Sequence, residues 1–420
     1  MTHPLRLLRP EARQSRFPGV CRTFWVPALL ASSILGTATA QTADGLTLRA
    51  GHTLSRDDNL FRLPDGVDPQ TVLGRPSAAE SVGISTLGMS YAKTHSLQRL
   101  EIDVSLVDYR YQTYSRLDLL ATNYDVSWRW ALTPRLRGSL VAERDESVNS
   151  FDDTSVLSRG NQRVRLYEGF DALYELDGVW RLVAGVQSTR NQNEQARVGE
   201  DSYVSRSADV GLRFEARSGS SVTARLRNGS GTTVGGAVLP ASLRDPDFNQ
   251  REQVLDIRWL LSEKASADLS LVRLDRTHAR VAARDYAGTN SALSLRWAAT
   301  AKTLWTLQWA SDLSSYQTTN ASHARTDRLT ASHAWQISAR TSLQASVSES
   351  RRRFLGPPPG QLPDPQRDTT RDASLGLRWN ATRNLALNAS VQHTQRGSNR
   401  PGLAFSSMQA VVGISLFTNQ

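Results

Sequence analysis

The chain is poor in the features that usually hold an exported protein together. Its one cysteine is Cys21, so nothing after residue 40 can form a disulfide or supply a thiolate. No stretch after residue 40 holds 18 consecutive apolar residues, which excludes a spanning helix. Hydrophobic residues are only 39% of the 420, so any large apolar core must be drawn from few side chains. The histidines after residue 40 are His52, His95, His278, His323, His333 and His393, scattered without metal-ligand spacing. There is no glycine-rich phosphate loop and no nucleophile elbow. No enzyme site, metal or cofactor is therefore expected. The arginines alternate along the chain instead of gathering into one patch, which argues against nucleic acid despite a formal charge of +10.

What is present begins with a distinct leader. Arg6, Arg9, Arg13, Arg16 and Arg22 precede an apolar stretch from Phe24 to Leu35, and Ala38-Thr39-Ala40 follows as a small-x-small triplet. Residues 1–40 read as a secretory signal peptide, too short and too interrupted by Pro27 for a membrane anchor. Its removal would leave 41–420 with 45 basic and 39 acidic residues, a net charge of +6.

Beyond residue 80 the apolar residues recur with period two. Leu293, Leu295 and Trp297 alternate with Ser294 and Arg296; Leu375, Leu377 and Trp379 alternate with Gly376 and Arg378. Such segments are strands with one apolar and one polar face. Short turns, for example at 131–134, 261–264 and 380–383, alternate with long polar links, such as 145–162, 229–250 and 351–369. That layout predicts an all-β fold, a transmembrane antiparallel barrel of 16 to 18 strands without a separate plug domain. A spanning sheet must satisfy every backbone N–H and C=O, so it has to close on itself. A soluble β-rich secreted protein is the competing reading. It would need one limited core to hold every tryptophan.

Trp128, Trp130, Trp259, Trp297, Trp335 and Trp379 fall on the apolar face beside short turns, where an indole girdle at headgroup level is expected. Parity then sends Arg129, Arg137, Arg213, Arg225, Arg258, Arg296 and Arg378 into the lumen, with Arg217, Arg227, Asp209, Glu215, Asp256 and Asp268 as further candidates. These residues could form ion-pair ladders that stiffen the wall, or a net-positive lining that favours anionic solutes. Links 229–250 and 351–369 are long enough to fold in and narrow the pore.

The stretch Leu54-Ser55-Arg56-Asp57-Asp58-Asn59-Leu60-Phe61-Arg62-Leu63-Pro64 resembles the N-terminal signature of the EpsL-type outer-membrane β-barrels. These accompany exopolysaccharide synthesis in bacteria with the exosortase B system, within a broader group of porin-like barrels. The resemblance implies a Gram-negative outer membrane with both termini periplasmic. It also implies a role as conduit or accessory in extracellular polysaccharide export. The partners it implies are outer-membrane lipid and lipopolysaccharide, the barrel assembly machinery, an anionic polysaccharide and periplasmic export proteins. Asp57, Asp58 and Asn59 read either as a solvated turn or as a calcium-binding cluster. The last strand ends at Phe417 with three residues beyond it, and Phe417 is the candidate terminal aromatic read during assembly. A general anion-favouring porin, or a structural or adhesive barrel acting through its loops, shares these physical features.

Overall fold

The computed structural model describes residues 44–149, 151, 162–194, 202–234, 244–318, 320–357 and 359–418. The expected signal peptide, 1–40, lies outside the described residues. The first six strands are β1 (Gly45–Asp57), β2 (Glu80–His95), β3 (Gln98–Tyr111), β4 (Leu119–Ala131), β5 (Leu136–Val148) and β6 (Gln162–Glu175). The next six are β7 (Trp180–Asn193), β8 (Tyr203–Glu215), β9 (Ser221–Thr233), β10 (Asp247–Leu260), β11 (Ala265–His278) and β12 (Tyr286–Thr300). The last six are β13 (Thr303–Ser315), β14 (His323–Gln336), β15 (Thr341–Leu355), β16 (Arg367–Asn380), β17 (Leu385–Ser398) and β18 (Phe405–Phe417).

Each strand pairs antiparallel with the next, and β1 also pairs with β18 from Arg49↔Phe417 to Asp57↔Gln409. The sheet is a closed 18-stranded barrel. Closure leaves no edge, so the backbone is satisfied without any help from a core. Among the described residues no separate domain fills the lumen. Because the strand number is even, β1 starts and β18 ends at the same end, the one that carries the short turns.

Polar side chains set those turns by taking backbone donors. Asp177 accepts from the N–H of Val179 at 2.9 Å and Trp180 at 2.7 Å. These two donors hold its carboxyl below the usual carboxylate range. Thr133 does the same for Leu136 at 3.0 Å. The opposite end carries the longer connections, including 58–79 with its short helix α1 (Pro69–Leu73).

The period-two reading fixes which way each residue points. Leu46, Leu48 and Leu54 of β1 face outward and are exposed, while Arg49 faces inward. The predicted girdle residues Trp128, Trp259, Trp297, Trp335 and Trp379 all face outward at the short-turn end, 41–59% exposed to whatever surrounds the wall. Trp180 and Trp305, which open β7 and β13 at the same end, join them. Trp130 differs, for it is buried on the outer face. Its ring stacks on Phe170 with centroids 5.7 Å apart and lies over Gly138, its register partner. A Cβ at Gly138 would stand 2.6 Å from that indole, so the glycine is what lets the ring lie flat.

Two loop boundaries differ from the sequence reading. Arg351, Arg352 and Arg353 belong to β15, which runs to Leu355, and residues 229–233 and 247–250 belong to β9 and β10. Barrel strands can continue past an apolar band, because a ladder costs nothing to extend into water and its side chains may then be polar on both faces.

Candidate functional site

The lumen is the one place where the fold gathers polar side chains from every strand. At the short-turn end the arginines before each girdle tryptophan point inward, but their environments diverge. Arg129 donates to Glu101 at 2.5 Å, and Arg213 to Glu215 at 3.0 Å. Arg181, directly opposite Arg213 in register, shares that same Glu215 at 3.3 Å. Arg225 lies deeper and bonds Asp256 at 2.5 Å, with Ser270 holding the other carboxylate oxygen at 2.7 Å. Arg378 bonds Asn380 at 3.2 Å, its guanidinium 5.9 Å from the Phe417 ring centroid. Arg137, Arg258 and Arg296 have no carboxylate of the described residues within ion-pair distance. Of the seven predicted lining arginines, three are therefore paired with carboxylates, one is held by an amide and a ring, and three face the lumen without an anion.

Higher in the barrel the wall is stitched by charge pairs across strands. Arg49 of β1 reaches over β2 to grip Asp103 of β3 with two bonds of 2.6 and 2.5 Å, and Ser90 joins at 2.9 Å. The reach is possible because Gly88 lies beneath it, where a Cβ would meet the Arg49 side chain at 2.8 Å. Arg227 bridges Asp209 at 3.3 Å and Glu252 at 2.9 Å, and Arg396 meets Asp368 at 2.6 Å with both side chains 5% exposed. Pairs this buried are costly to break from one side, since the partner is left charged and dry.

At the long-loop end the Asp57–Leu63 stretch turns into the barrel. Asp57 bonds Arg62 at 2.8 Å, Ser407 at 2.8 Å and the N–H of Asn59 at 2.9 Å. Asn59 caps the N–H of Leu63 at 2.8 Å and donates to the carbonyls of Leu63 and Ser406, each at 3.0 Å. Asp58 takes the N–H of Met408 at 2.7 Å. Arg62 holds a left-handed backbone (φ 53°), which the Asp57 pair and the Asn59 cap impose. The group is thus neither an open solvated turn nor an oxygen cage, because Arg62 occupies its centre. It latches the β1–β18 seam. Among the described residues no cluster of three metal-ligating side chains forms anywhere.

The same turn drives Phe61 inward, where it packs edge-on against Tyr114 at 4.7 Å and Phe151 at 4.9 Å. Val82, Ile84, Tyr109 and Tyr111 complete a buried cluster on the lumenal face of β2 and β3. A smaller set faces it from other strands, with Arg276 4.0 Å over the Phe248 ring and Arg352 4.7 Å over the Tyr316 ring. The side chains turned into the lumen at this end are therefore largely aromatic, with Phe61 brought in by 58–79. Link 351–369, expected to narrow the pore, is shortened by the extension of β15, and residues 235–243 lie outside the described residues.

Phe417 takes part in the β1–β18 pairing opposite Arg49 and faces the lumen beside Arg378, while its neighbour Leu416 faces outward.

Two solved structures match this architecture along most of their length. The fold resembles that of OccK2 (OpdF) of Pseudomonas aeruginosa, with a TM-score of 0.50, 11% identity, and 89% of this chain and 98% of that one covered. A BenF-like porin from Pseudomonas fluorescens Pf-5 matches with a TM-score of 0.50 and 10% identity, covering 89% and 99%. The fold is porin-like. Residues 259–417, which span β11–β18, match the model of a family described as "Putative beta-barrel porin 2". No curated protein matches the chain.

Proposed function

We propose that this barrel is an outer-membrane porin for small anionic solutes, with its short turns and both termini in the periplasm and its long loops outside. The observation that carries the reading is Arg137, Arg258 and Arg296, inward at one mouth and in no ion pair among the described residues, with Asp268 opposite Arg258 in register as the nearest acidic neighbour on the ladder. A ring of fixed positive charge between low-dielectric walls raises the local concentration of anions and of nothing else. The paired arginines above it, such as Arg49 with Asp103, hold the wall, and the mouth keeps three arginines that no ion pair among the described residues takes up.

Conductance of the purified, refolded barrel in a planar bilayer tests it. A stable open state with a reversal potential on the anion side under a KCl gradient is the expected result. A folded barrel that conducts nothing, or prefers potassium, would sink it. The second reading, a conduit or accessory for polysaccharide export, rests on the resemblance of Asp57–Phe61 to the EpsL-type barrels. Reversible block of the same channel by a soluble acidic polysaccharide, added from the short-turn side, would favour that reading over free diffusion of small anions.

A further inference from the structure

The outer wall carries charge where the apolar band ends. On β14, β15 and β16 the outward positions beyond Leu329, Val347 and Leu375 are taken by Arg325 and Asp327, by Glu349, Arg351 and Arg353, and by Arg371. Arg325 lies ten residues along β14 from the girdle residue Trp335. With a rise of about 3.3 Å per residue and a tilt of roughly 40°, that places it about 25 Å above the indoles, the height of an outer-membrane apolar band. The patch therefore sits at the headgroup level of the leaflet on the long-loop side.

Its internal pairing is incomplete by construction. Glu349 is shared by Arg351 at 2.7 Å and Arg371 at 2.9 Å, and Asp327 by Arg353 at 3.2 Å and Arg325 at 3.7 Å. Four guanidinium groups meet two carboxylates, and the exposed Arg367 of β16 lies opposite Arg353 in register, so three positive charges remain. Arg325 and Arg353 are direct register partners that share the single carboxylate of Asp327, so the pair keeps one positive charge in excess. The Arg351 and Arg371 side chains are 69% and 67% exposed. A planar fork of N–H donors on a rigid ladder matches phosphate oxygens in pairs.

We propose that this patch binds the phosphate groups of the outer-leaflet glycolipid, a bis-phosphorylated lipid A, while its acyl chains lie on the apolar band below Leu329 and Val347. The lipid would complete the missing half of the ion-pair array. The site lies on the opposite face of the wall from the lumen, and it needs only the long loops to face outward, whatever the channel carries.

Native mass spectrometry of the refolded full barrel, incubated in detergent with lipid A, with dephosphorylated lipid A or with phosphatidylglycerol, reads the interaction directly. Lipid A is expected to be retained and the other two not. R351Q/R353Q/R371Q should lower retention by about tenfold or more, equivalent to losing one good charge-assisted contact. R135Q/K302Q/R383Q removes three cations from the opposite rim and should leave retention unchanged. Equal retention by both triple variants overturns the proposal, as does equal retention of phosphatidylglycerol. Should the first triple variant fail to fold, E349Q decides, because it frees two guanidinium groups and should strengthen retention severalfold. Weaker or unchanged retention in E349Q refutes the site.

Discussion

Asp57 is 5% exposed, and a carboxylate that dry is stable only while its partners stay in place. Arg62 is its cationic partner, and Ser407 ties it to the last strand. Replacing Asp57 by alanine frees Arg62, removes the reason for its left-handed backbone and unties β1 from β18. The expected loss is on the order of 3 kcal/mol, the size seen when one partner of a buried pair is removed. A lower urea midpoint for unfolding from vesicles checks it, with the heat-dependent gel mobility of folded barrels as the control for assembly. R62A should cost a similar amount. D57A/R62A should cost less than the two together, because neither partner is then left charged and alone. At this scale the sequence was legible in identity and opaque in role. Asp57, Asp58 and Asn59 stand out as a motif, yet their partners, Ser406, Ser407 and Met408, lie some 350 residues away.

Single elements show why period two is plain in the later strands and not in the first ones. On β12 or β16 only one face is apolar, so period two is plain. On β2 and β3 the lumenal face is also apolar, with Val82, Ile84, Val107 and Tyr109 covered by the in-turned Phe61. Both faces of these strands thus carry hydrophobic residues, and the alternation that marks a barrel strand disappears. The two-residue turn at Ser96 and Leu97 carries no tryptophan to mark it, so the sequence does not announce it. The in-folded element has a direct consequence. F61A removes a side chain that meets Tyr114 and Phe151, so the connection 58–79 should loosen from the wall. Open-channel conductance is expected to rise and the unfolding midpoint to fall, by roughly 3 kcal/mol for a buried Phe→Ala change. A conductance that stays at the unsubstituted value would mean that this cluster does not bound the pore.

A second pair of elements repeats across the barrel. β3 and β4 are joined through a turn in which Asp118 takes the N–H of Tyr111 at 2.8 Å, and β11 and β12 through one in which Asp285 takes that of His278 at 2.7 Å. Five residues further on, Asn123 and Asn290 each replace a ladder bond where the β4–β5 and β12–β13 pairings stop short, accepting from Glu146 at 2.6 Å and Leu313 at 2.8 Å. N290L would leave the buried Leu313 N–H without a partner and should cost about 1–3 kcal/mol, read as a lower unfolding midpoint. An unchanged midpoint would mean that the strand ends re-pair without the amide.

For the whole molecule, closure and the outward placement of the tryptophans at the short-turn end follow from periodicity and turn lengths, and both are legible. The balance of charge inside is not, because pairing across the wall depends on stagger between strands. Arg49 meets Asp103 across β2, and Arg129 meets Glu101 with a diagonal offset, while Arg258 and Arg296 meet no carboxylate among the described residues. Neighbours in sequence say nothing about which of these outcomes applies. The arginines that enter no ion pair among the described residues share one mouth, and a fixed charge at one end of a pore has a signature that a uniform lining lacks. At 0.01 M salt the Debye length is about 30 Å, so the ring enriches anions through much of the lumen when they enter from its side. Currents of opposite sign should then differ, and the current–voltage curve should rectify. At 1 M salt the Debye length falls to about 3 Å, and the curve should become symmetrical. R137Q/R258Q/R296Q should abolish the rectification at low salt and move the reversal potential toward zero, with single-channel conductance at 1 M unchanged. If the triple variant rectifies like the unsubstituted barrel, the selectivity belongs to the paired arginines or to the loops, and the mouth ring is only part of the wall.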